Sequence, residues 1–239
     1  LALNVSSEVL EAFVLVDNGL SRTTENYRVE NDKLYTEFDN AMLVNPVKVG
    51  PWKQKADEIK AKAREIYDYV QDLKVEIVKA SEGEETPALE GKNVISEKIE
   101  AKSDLDKAAK ILIGLEGSGK AYELKRKIID FREYIVKQVD AEKGAELVSS
   151  INGILNTDDP PVKEDGTRNS WESARFEHIP LISVMPQLTK VQVDVLNTEA
   201  EILNYLLQQI GASDFKFNVL AATVIPSSSI VFQGTEFKA

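Results

Sequence analysis

WESARFEHIPLISVMPQLTKVQVDVLNTEAEILNYLLQQI, residues 171–210, decides the fold. After a distinctive helix entry, Leu188, Val191, Val195, Ile202, Leu206 and Ile210 recur at helical spacings, and Gly211 follows as a C-terminal cap. A long amphipathic helix of this kind needs partners to cover its apolar face. The rest of the chain supplies them. In the first segment Val9, Phe13, Val16, Leu20, Tyr27, Leu34, Phe38 and Ala41 recur at spacings of three, four or seven, with polar Thr23 and Asn31 interrupting the stripe. The helix should end near Asn45 and Pro46, and Gly50-Pro51 extends the turn. Trp52, Ala56, Ile59, Ala63, Ile66, Val70, Leu73 and Ile77 then alternate by four and three, a heptad seam. Two antiparallel helices joined by a short turn follow.

The segment SEGEETPALEG, residues 81–91, reads as a solvated connection. Ile95, Ile99, Leu105, Ala109 and Leu112 mark a third helix, and Leu124, Ile128, Phe131, Ile135 and Val139 a fourth, with residues 114–119 as the corner. Residues 151–169 carry Asp158-Asp159-Pro160-Pro161 and Gly166, too many breakers for a helix. Past Ser213 the β-branched and aromatic texture of FKFNVLAATVIP and SSSIVFQGTEFKA indicates two strands. The expected architecture is mainly α: an antiparallel bundle of about five long helices over residues 1–212, then the first strands of a truncated β-sandwich, Ig-like domain over 213–239.

Charge and composition narrow the function. Forty acidic against 29 basic side chains give a net charge of -11, which repels phosphate backbones, so nucleic acid is not an expected partner. Without cysteine there is no disulfide, thiolate nucleophile or cysteine-based zinc site. Leu1-Ala2-Leu3 followed by Val5, Val9 and Leu10 reads like the exit of an apolar helix whose membrane anchor lies upstream.

One motif imitates an enzyme. GLEGSGK, residues 114–120, has the glycine and lysine spacing of a phosphate-binding P-loop, and Ile111-Leu112-Ile113 could pass for its strand. Ala121, however, stands where magnesium needs a hydroxyl. The competing reading is a helix-to-helix corner with Gly117 and Gly119 in left-handed conformations. His178 is the single histidine, which excludes a multi-histidine metal site within one chain and favours a packed or hydrogen-bonded role. The acidic loop of Asp158, Asp159, Glu164 and Asp165 lacks EF-hand spacing. No catalytic residue, cofactor, metal or small-molecule substrate is expected.

The chain resembles the GldM (also PorM) family of the type IX secretion and gliding motor of Bacteroidota. The resemblance rests on Leu1-Ala2-Leu3-Asn4-Val5-Ser6 and Glu8-Val9-Leu10 at one end. At the other stand Trp171-Glu172, Ala174-Arg175-Phe176-Glu177 and the helix with Asn197, Glu199-Ala200-Glu201 and Asn204-Tyr205-Leu206. Val224-Ile225-Pro226 and Gln233-Gly234 are similar to the start of that family's next domain. The resemblance implies a non-enzymatic homodimer, anchored in the inner membrane with its bulk in the periplasm. Its membrane helices would sit inside a GldL/PorL-like ring driven by the proton gradient, and its shaft would carry motion to a GldK/GldN-like ring under the outer membrane. Leu1, Val5, Glu8 and Val9 would then be membrane-proximal contacts to the dimer mate or the ring. Two other classes are a periplasmic helical sensor domain of a transmembrane receptor and, remotely, a P-loop nucleotide-binding protein.

Overall fold

In the computed structural model, which describes residues 5–115 and 117–218 (side chains through 211), three long helices form the body. Helix α1 spans Ser7–Val44, α2 Pro46–Glu82 and α7 Leu181–Asn218. The shorter α3 (Lys107–Leu112), α4 (Lys120–Val136), α5 (Ala145–Ile154) and α6 (Trp171–Phe176) pack around them. A two-strand antiparallel ribbon, β1 (Leu89–Glu90) with β2 (Asn93–Val94), lies in the link after α2. The chain is mainly α, as the periodicity requires, though only three of the helices are long.

The hairpin of α1 and α2 closes more sharply than expected. Asn45 alone separates the two helices, and its side chain accepts the Lys48 N–H at 3.1 Å as the N-cap of α2. Pro46 occupies the first helical position, where a missing N–H costs nothing, so α2 absorbs Gly50 and Pro51 instead of starting beyond them. The whole α2 seam from Ala56 to Ile77 is buried, with Trp52 half-buried at its start.

Helix α7 is central. It is covered nearly all round, as a helix apolar on most faces must be. It runs parallel to α1, because Asp17 meets Thr189 and Asn31 meets Glu199, and antiparallel to α2, because Lys74 meets Thr189 and Tyr67 meets Gln192. Helix α4 lies along α2, tied by Lys120 to Glu76, Lys127 to Glu65 and Tyr134 to Glu58.

Several elements differ from the sequence reading. The third helix is confined to Lys107–Leu112, preceded by a 3-10 turn at Ser96–Lys98 and an irregular stretch. That stretch has other work: the carbonyls of Asp104 and Lys102 accept the Leu181 and Ile182 N–H groups at 2.7 and 3.1 Å, which satisfies the start of α7, while Glu82 accepts the Glu100 and Ala101 N–H groups. Residues 81–91 are less solvated than their composition implies, since Ala88 and Thr86 are buried. Helix α5 takes the start of the expected 151–169 loop, burying Ile151. Gly211 is not a cap, because α7 continues to Asn218 and makes residues 215–218 helical where a strand was expected; the remainder of both expected strands lies outside the described residues.

Candidate functional site

The apolar face of α1 is placed one step round from its sequence assignment. The buried line runs through Val14, Asp17, Thr24, Asn31, Leu34, Tyr35 and Phe38, while Val9 and Val16 are 45% and 52% exposed. Seven-residue spacing from Asp17 through Thr24 to Asn31 puts three polar side chains where apolar ones are usual. Each finds partners, since a buried polar group without one is costly.

Two buried polar knots result. At the first, Asp17 accepts the Ser96 and Thr189 hydroxyls, both at 2.5 Å, and Thr189 accepts from the Lys74 ammonium at 2.7 Å. Burial pushes the Lys74 ammonium below its ordinary pKa, and the Asp17 charge partly restores it. At the second, Glu199 accepts the Tyr35 hydroxyl and the Asn31 amide at 2.8 Å, and that amide also donates to the Leu196 carbonyl at 3.0 Å. Burial drives the Glu199 carboxyl up to about 7 despite those donors, and desolvation together with the Glu199 charge raises the Tyr35 hydroxyl.

Outside this interior, α1 presents an apolar face to solvent. Val5, Val9, Ala12, Leu15, Val16 and Gly19 recur at three- and four-residue spacing, with Leu15 72% exposed and open space where a Gly19 side chain would point. Of the residues expected to make membrane-proximal contacts, Val5 is half-buried and Glu8 and Val9 are exposed on this helix. Hydrogen bonds from its own backbone N–H and from Ser6 hold the Glu8 carboxyl below its ordinary value. Leu1 lies outside the described residues.

The P-loop look-alike is a helical corner. Ile111 and Leu112 belong to α3, and the Lys120 ammonium pairs with Glu76. Gly114 and Gly117 hold the positive φ angles (67° and 77°), whereas Gly119 is extended and caps α4. Gly119 is required for room instead: a Cβ there would lie 2.1 Å from the Leu112 carbonyl oxygen. Gly119→Ala should therefore destabilise the bundle by about 1–3 kcal/mol in chemical denaturation; unchanged stability would show that the corner can shift freely.

The other candidates are also structural. His178 is exposed, contrary to the packed role expected, because a positive φ of 53° turns the chain between α6 and α7 and aims the ring outward near Glu177. Asp159 accepts the Trp171 N–H at 2.8 Å and pairs with Lys125, and Asp165 closes a turn onto the Thr167 N–H. Among the described residues no cluster of three or more His, Asp or Glu could hold a metal, and no helix is long and apolar enough to cross a membrane. Trp171 and Phe176 are both buried, in edge-to-face contact at 5.8 Å, so the helix entry is a packing device.

A helical bundle with an outward apolar helix face and no assembled reaction centre among the described residues belongs to the class of interaction modules. The chain matches the GldM N-terminal domain over residues 8–209 and belongs to that family. It is thus a component of the type IX secretion and gliding machinery. No match was found among curated proteins.

Proposed function

We propose that this bundle is the membrane-proximal section of the periplasmic shaft of a proton-driven type IX secretion motor, working without enzymatic activity. The observation that carries the reading is the outward apolar face of α1 from Val5 to Gly19, which points away from the bundle's own core. Two copies packed along this face would form a homodimer, and Ala12 and Gly19 allow close approach of two helices. Stiffness comes from the three long helices: 38 residues at about 1.5 Å each give α1 and α7 a length of roughly 57 Å. Helix α1 would continue upstream into an inner-membrane helix held by a GldL-like ring, with the far end transmitting motion towards the GldK/GldN-like ring. The domain after α7 would begin near residue 213.

Proline at Val9 separates folding from transmission. Val9 lies in the first turn of α1, its N–H bonded to the Ser6 carbonyl at 3.2 Å, so within the bundle proline there is tolerated. In a helix running on from a membrane segment the same residue would stand mid-helix and kink it. Val9→Pro should leave thermal unfolding of the isolated chain nearly unchanged and abolish secretion in cells; normal secretion would refute continuity. Leu15→Glu tests the other half. It should convert a dimer to a monomer by light scattering, and a dimer that survives it would place the interface elsewhere.

A further inference from the structure

The second polar knot opens to solvent as a cleft of about 370 Å³ between α1, α2 and α7. Its floor carries acceptors that the protein does not fill. Asn31 is 97% covered, and its amide nitrogen is committed to Leu196 and Glu199, yet its carbonyl oxygen Oδ1 has no hydrogen-bond partner. Glu199, equally buried, has one donor on each oxygen, and no cation lies within ion-pair distance. Rings of Tyr35 and Tyr67 line the cleft, and around it stand three cations, Arg28, Lys60 and Arg64. Arg28 lies over Tyr67 at 5.7 Å and Lys60 over Tyr35 at 4.1 Å. Asp32 and Asp68 pair with Lys60 and Arg64 only loosely, at 3.7 and 3.5 Å.

Acceptors below and cations above call for a ligand with both charges. We propose that this cleft binds a small zwitterion of the free α-amino acid type, its ammonium donating to Asn31 Oδ1 and Glu199 and its carboxylate received by Arg64 and Arg28. A simple amine would be repelled at the rim, and a simple anion would meet a carboxylate at the floor. The ligand is a bound effector and undergoes no reaction. This site lies away from the exposed apolar face of α1 and does not depend on the shaft reading.

The test is thermal unfolding of the full 239-residue chain with each standard L-amino acid at about 10 mM, since a ligand that binds only the folded state raises the midpoint. At least one should raise it by several degrees. N-acetylation of that amino acid removes the ammonium and amidation removes the carboxylate; each should weaken binding by about tenfold or more. Arg64→Ala, on an exposed side chain whose loss cannot unfold the bundle, should weaken binding similarly, and Glu199→Gln should remove it. No shift with any amino acid overturns the proposal. So does a shift that survives N-acetylation, or one that Arg64→Ala leaves unchanged.

Discussion

Replacing Lys74 by methionine is expected to cost the bundle about 3–5 kcal/mol, because it strips the only cation from a knot that also holds the buried carboxylate of Asp17. The methionine stem would fill the same space, so little of the loss comes from a cavity. What remains is a carboxylate served by two hydroxyls, Ser96 and Thr189, with no compensating charge. For a domain of this size the cost corresponds to a fall in melting temperature on the order of 10 °C. The pair Asp17→Leu with Lys74→Met removes both charges and should recover much of the loss, since replacing a buried pair by apolar groups is often near neutral. Equilibrium denaturation followed by circular dichroism measures both. Equal stability of Lys74→Met and the parent chain would show that the ammonium does not compensate Asp17.

The second large effect is a dependence on pH. Glu199 is raised from 4.5 to about 7 by burial, so the folded chain holds a proton there that the unfolded chain releases above pH 4.5. Stability from this group is therefore full below about 4.5 and lost as pH rises through 7. The difference amounts to about 3 kcal/mol, or roughly 6–12 °C in melting temperature. Glu199→Gln should remove that slope and leave the variant more stable than the parent at pH 8. If the parent chain is as stable at pH 8 as at pH 5.5 relative to the variant, Glu199 is not held neutral.

These two knots mark where a sequence stops being legible. The heptad seam of α2 was readable because its buried residues are all apolar at the spacing a packed helix demands, and Ala56, Ile59, Ala63, Ile66, Val70, Leu73 and Ile77 are indeed the core. Helix α1 misled because its buried line contains Asp17, Thr24 and Asn31, while valines at 9 and 16 sit on the solvent side. Hydrophobicity alone then assigns the wrong face. Irregular residues 99–106 misled in the opposite sense: helical spacing was present, but their carbonyls are taken by the start of α7.

By itself the sequence determined the helical class, the α1–α2 hairpin, the long helix after Trp171 and the family, all of which rest on local periodicity, on proline and asparagine at one turn, and on a few distinctive residues. Tertiary structure alone decided which face of α1 points inward, that Gly119 is needed for room against Leu112, and that Asn31, Tyr35 and Glu199 meet across more than 160 positions of chain. The reason is physical: a period records that a helix has two faces, whereas the partner of each buried polar atom is fixed only when the helices pack and water is gone.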